Sequence, residues 1–243
     1  MQSRIKVWTS LGLAATLACS GLAGCAEKTD PPTEGVTQTG EGGHDIGALP
    51  LPQRLVFMSG HVEAGLALYR AGEADAAAPH LLHPVSETHE AERAGLADLG
   101  FDATPFEAVS AALEAGEPAS EIEPQLEAAE ANLREVRSRA AGDTASLIRF
   151  LMETATEEYT IAVNDGLVTD PGEYQDAWGF AVVAKELAAN LDAPHADDVR
   201  SEIDALLGLW PDAAPITPEQ PTPVGEISAA AARVILALPS RES

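Results

Sequence analysis

"SEIEPQLEAAEANLREVRSR", Ser120 to Arg139, is the stretch whose reading decides the fold class. Ile122, Leu126, Ala129, Leu133 and Val136 step by 4, 3, 4 and 3, a spacing that turns every apolar side chain to one side of a helix and leaves the glutamates and arginines on the other. Ser120 followed by Glu123 is a capping box, so a helix is expected over 121–140.

The same grammar recurs on both sides of this stretch. Thr104-Pro105-Phe106-Glu107 and Asp170-Pro171-Gly172-Glu173 each place a capping side chain, then proline, then an acid two residues beyond it. Helices are expected at about 52–71, 75–99, 105–115, 121–140, 144–164, 171–191 and 196–209. "PDAAPITPEQPTPV", Pro211 to Val224, reads as a proline-rich strap, and Ile227 to Leu238 as a short amphipathic helix that docks back before the tail. Runs of alternating β-branched residues are missing, so the expectation is an all-α fold. It is an antiparallel bundle of about six to eight helices with its main domain over 51–210.

Ahead of the bundle, Arg4 and Lys6 precede an apolar run from Leu11 to Leu22, which reads as an export signal over 1–24. Leu22-Ala23-Gly24-Cys25 resembles the lipobox of bacterial lipoproteins, which implies that Cys25 is acylated and becomes the mature N-terminus. Residues 25–50, rich in Gly, Thr, Pro and acid, read as a disordered tether in which His44 is incidental. The expected location is the periplasmic face of a bacterial membrane.

Cys19 leaves with the signal and Cys25 carries lipid, so no thiol remains for redox or thiolate–metal chemistry. Any metal must then bind through His, Asp, Glu or Tyr. The chain carries 39 acidic residues against 14 basic ones, for a net charge of −25. So acidic a surface repels nucleic acid and anionic headgroups, which removes both as partners. There is no nucleophile elbow, no phosphate-binding glycine loop, no His-Glu-x-x-His and no Cys-x-x-Cys-His, so an enzyme is not expected.

Some seam positions carry polar residues where apolar ones belong. On the first helix Met58, His61, Gly65 and Leu68 step by 3, 4 and 3, with Gly65 leaving room for a close neighbour. On the second, Leu82, Val85, His89, Glu92, Leu96 and Leu99 continue a seam, and on the fifth Leu147, Leu151, Thr154, Glu158 and Ile161 do the same. His61, His89, Glu92 and Glu158 are therefore expected to face one interior, paired with each other or sharing a cation. His80, His83 and Glu87 form a second cluster expected on the surface, suited to a divalent ion, with Pro84 threatening to kink the helix beneath it.

Three resemblances bear on function. Glu153 to Leu187 carries Glu158-Tyr159, Ala162-Val163, Asp165-Gly166, Glu173-Tyr174 and Phe180 in order, and resembles the periplasmic helix–turn–helix module of bacterial iron-permease-family proteins. That implies a helical module near metal uptake, with a membrane permease or another envelope protein as partner, and Glu158, Tyr159, Glu173 and Tyr174 as oxygen ligands for iron. The permease's membrane helices and its Arg-Glu-x-x-Glu motif are missing. His89-x-x-Glu92 resembles the tail of the imelysin-like Gly-x-His-x-x-Glu motif, with Glu87 standing where that motif has glycine. "GLALYRAGEADAAAPHL", Gly65 to Leu81, is similar to a tetratricopeptide hairpin, which keeps open an envelope interaction or scaffold role without metal. The expectation is a lipid-anchored protein that binds a transition metal, iron or copper, for uptake or handling.

Overall fold

The computed structural model describes residues 46–86, 90–192, 195–211 and 215–239. The expected export signal, the lipobox cysteine and the tether as far as residue 45 lie outside them. The tether expected as far as Pro50 stops earlier, because Ile46–Ala48 forms a 3-10 turn with Ile46 buried in the core.

The fold is all-α. Helix α1 spans Leu51–Arg70, α2 Ala74–Leu82, α3 Glu90–Arg93, α4 Thr104–Ala115 and α5 Glu123–Arg139. Beyond them lie α6 Thr144–Ala162, α7 Pro171–Ala188, α8 His195–Leu207 and α9 Val224–Ala237. A two-strand hairpin, Val163–Asn164 (β1) with Leu167–Val168 (β2), links α6 to α7. Asp165 and Gly166 at its tip have φ of 51° and 76°, the left-handed pair that closes a tight antiparallel turn.

Helices α6 to α9 close a ring: α6 packs on α7 and α9, and α8 packs on the same two. Helix α9 buries Ile227, Ala230, Ala231 and Val234 there. The strap before it is tied down twice, because Thr222 donates to the Leu209 carbonyl at 2.6 Å and accepts through its own carbonyl from the Tyr159 hydroxyl at 2.7 Å. A second core is built by α2, α4 and α5.

Helix α1 lies between the two cores. Val56 and Phe57 belong to the first, while Leu55, Met58, Val62, Leu66, Leu68 and Tyr69 belong to the second. Every residue from Leu55 to Val62 is buried, as a helix with partners all round requires. Its two closest approaches occur at glycine. A Cβ on Gly179 of α7 would stand 2.1 Å from the Gly60 carbonyl oxygen, and one on Gly65 would stand 2.7 Å from Leu81 Cγ and 3.0 Å from His80 Cβ. Arg137 of α5 bonds Glu186 of α7, with the half-buried Glu63 of α1 in its field, and this joins the second core to the α1–α7 pair.

Several local expectations change. The helix expected at 75–99 is broken: α2 ends at Leu82, a turn follows over His83 to Val85, and the next described helix is Glu90–Arg93. Pro84 lacks the N–H that would continue the ladder. The seam drawn through Leu82 is also one register off, since Leu82 is 40% exposed while Ala77, His80 and Leu81 are buried. Helix α5 begins at Glu123 with Pro124 in its first turn, after a 3-10 turn over Ala119–Glu121, so the Ser120 capping box is not used. At α4 the free backbone N–H of Thr104 goes to the Asp102 carboxylate at 2.9 Å, so the capping acid lies two residues before Thr104. Asp170 does cap α7, accepting from Gly172 and Glu173. The stretch similar to a tetratricopeptide hairpin is a helical hairpin, but its apolar face, Ala77 and Leu81, is covered by α1 and α4.

Gly179→Ala tests the close crossing. In an ordinary helix the change would stabilise by up to ~1 kcal/mol; here a methyl against a backbone carbonyl should destabilise by about 2–4 kcal/mol in urea unfolding. A stabilised variant would mean that α1 and α7 are not in contact at this point.

Candidate metal centre

Where α1 and α7 touch, and α2 is drawn in against Gly65, three ionisable side chains meet. His61 of α1 places Nδ1 2.7 Å from Oδ1 of Asp176 on α7. His80 of α2 places Nδ1 2.8 Å from the same oxygen. One ligand atom from each of the three lies within 4.8 Å of the others, and all three residues are buried. Among the described residues this is the one group of three His, Asp, Glu or Cys side chains arranged so.

Aromatic packing seats the rings. The His61 imidazole is stacked on His83 with centroids 4.1 Å apart and planes 13° from parallel, and meets Phe57 at 4.6 Å and Phe180 at 5.4 Å edge to face. Gly60 makes room for Phe180, since a Cβ there would fall 2.2 Å from the ring. On its far side, His80 Nε2 lies 2.8 Å from Oε1 of Gln175, which is also buried.

Burial pushes the Asp176 carboxyl towards its neutral form, but the fields of His61 and His80 and their hydrogen bonds override it and hold the group well below the usual carboxylate range. A permanently ionised oxygen between two imidazoles is a cation-binding arrangement, filled either by protons or by a metal ion.

The first-rank set expected from the seams is therefore split. His61 is in the cluster. Glu158 is buried as expected, yet its hydrogen-bond partner is Glu173 rather than a histidine. Burial, that hydrogen bond and the nearby charges of Glu173 and Asp176 raise its pKa to about 10, so Glu158 is a neutral carboxylic acid at physiological pH. His89, Glu87 and the Glu92 side chain lie outside the described residues.

The second-rank cluster is corrected in place for the two members that are described. His80 and His83 are buried, not on the surface, because the true α2 register turns them inward. Of the proposed tyrosine ligands, Tyr159 spends its hydroxyl on the Thr222 carbonyl, and burial pushes its pKa up to about 12, which disfavours the tyrosinate that ferric iron would need. Tyr174 packs beside Tyr159 and Trp210. Asp176 and Gln175 went unnoticed in the sequence. The missed signal was a seam on α7 itself: Asp176, Phe180, Val183 and Leu187 step by 4, 3 and 4, and the first is an acid.

The α6–α9 ring is where a comparison with known families becomes informative. Residues 135–238 match the family model of the iron permease-associated 4-helix bundle domain. The matched segment contains the whole Glu153–Leu187 resemblance and supplies Asp176 and Gln175, whereas His61, His80 and His83 precede it. No curated protein and no solved structure matches the chain at a significant level. Among the described residues no helix is long and apolar enough to cross a membrane.

Glu158 offers a test of the electrostatics. An acid whose folded pKa is raised stabilises the fold most below its unfolded value, near 4.5, and loses that contribution as pH climbs towards about 10. Glu158→Gln, which mimics the neutral acid, should raise Tm by roughly 2–8 °C at pH 8 and flatten its decline between pH 5 and pH 9. An unchanged pH profile would show that Glu158 is ionised in the folded protein.

Proposed function

We propose that the protein is a lipid-anchored periplasmic module that binds a transition metal ion, iron or copper, on His61, His80 and Asp176, and that it serves an iron-permease uptake system. The observation that carries this reading is the buried convergence of two Nδ1 atoms on one ionised carboxylate oxygen. Two imidazoles and a carboxylate suit borderline divalent ions, and donors held at about 2.1 Å from one ion would sit roughly 3–3.5 Å apart, close to the spacing already built. An entering ion displaces the imidazole proton at each Nδ1.

Completing the coordination takes a further ligand, a role open to His83, which stacks on His61 but is not among the three converging side chains. His89, Glu92 and Glu87, which follow His83 closely in sequence, remain candidates for the same role. Glu158 and Glu173 lie beside the centre as a proton-sharing pair and temper its charge, rather than serving as its first ligands. The tie to iron uptake is supported by the permease-associated domain, which holds Asp176. The anchor rests on the lipobox reading of Leu22–Cys25.

Equilibrium dialysis at pH 7 against ferrous, cupric and zinc ions should find about one ion retained per chain, with affinity lowered at least ~10-fold in His80→Ala and Asp176→Asn. Retention should fall between pH 7 and pH 5, as protons compete for the imidazole nitrogens. No retention by the wild type, or equal retention in the variants, removes the metal reading.

A further inference from the structure

Building on the metal reading, we infer that Gln175 is the positioning residue that makes His80 a donor through Nδ1. A neutral imidazole carries one N–H and one lone pair, and whichever acceptor lies at one nitrogen decides which is left for the ion. At His80 both nitrogens face acceptors: Nδ1 lies 2.8 Å from Asp176 Oδ1, and Nε2 lies 2.8 Å from Gln175 Oε1. Without the amide carbonyl, the Asp176 carboxylate alone would draw the single proton to Nδ1 and block it. When an ion replaces the proton at Nδ1, the carbonyl at Nε2 accepts the proton kept on the far side of the ring, and the Nδ1 lone pair is left for the centre shared with His61.

The backbone makes this grip possible. Gln175 and Asp176 are consecutive in α7, so their side chains leave the helix about 100° apart and can reach opposite edges of one ring. Both are buried, so water does not compete for Nε2. Gly65 seats the His80 Cβ against α1, which fixes the ring's position between the two groups. A carbonyl that accepts the outer N–H of a metal-bound histidine sets ring orientation as well as tautomer, and losing it typically costs 10–100-fold in affinity.

The test uses the full chain and two variants that differ in one property. Gln175→Met keeps the length of the side chain but cannot accept, while Gln175→Glu keeps an acceptor at Nε2. Zinc and cobalt(II) affinities are measured by competition with a chromophoric chelator, alongside the cobalt d–d spectrum and the Tm of the metal-free proteins. Gln175→Met should bind roughly 10–100-fold more weakly with an altered cobalt spectrum, and Gln175→Glu should bind as tightly as wild type or more tightly with the spectrum retained. A Gln175→Met affinity within about threefold of wild type overturns the inference.

So does a Gln175→Glu affinity as weak as that of the methionine variant, which would mean that the amide NH2 group faces the ring. Should Gln175→Met fail to fold, Gln175→Glu decides alone: wild-type or tighter binding supports the role, and a tenfold loss sinks it. A wild type that binds neither ion ends the metal reading, and the inference falls with it. A wild type that binds while Gln175→Met matches it ends the inference only.

Discussion

The contact on which the structure turns is the crossing of α1 and α7 at Gly60 and Gly179. Two helices carrying ordinary side chains pack with axes about 8–10 Å apart; here the space one Cβ would need on Gly179 is already taken by a backbone carbonyl of α1. That proximity lets His61, one residue beyond Gly60, reach Asp176, three residues before Gly179. Gly65 repeats the device one turn further along α1 and brings α2 close enough for His80 to meet the same carboxylate. Three glycines, none of them in the cluster, thus set its dimensions.

Once the helices are that close, burial has to be reconciled with charge, and two acids do so in opposite ways. Asp176 stays ionised because two imidazoles bond its oxygen. Glu158, subject to burial and to the charges of Glu173 and Asp176, is pushed towards its neutral form and hydrogen-bonds Glu173. The Coulomb field of Asp176 helps keep Glu158 neutral, so the ionised and protonated groups are linked. Of these two acids it is therefore Asp176 that carries the charge, at the oxygen between the histidines.

The centre also joins two parts of the chain with different standing. Residues 135–238, with Asp176 and Gln175, match a domain associated with iron permeases, while the histidines come from the helices that precede it. Helix α1 is the element that makes one interior of the two cores, and for that reason nearly all of its central surface is buried. The helices before the matched segment insert imidazoles beside a carboxylate of the ring, and so complete a His–Asp cluster that the matched segment does not hold by itself.

What the sequence determined by itself was whatever depends on short-range periodicity and capping. The all-α class, the α5 seam, the Asp170 cap, the Asp165-Gly166 turn and the inward positions of His61 and Glu158 all follow from spacing along one helix. The partnerships were decided only in the tertiary structure. The seam through Leu82, Val85 and His89 points to a longer helix in another register, which leaves His80 on the surface, and none of these residues records where α1 and α4 will lie. Asp176 looked like one acid among 39 until a glycine crossing set two histidines against it. Periodicity specifies which side of a helix turns inward, but which side chains meet there depends on how near the neighbouring backbone can come.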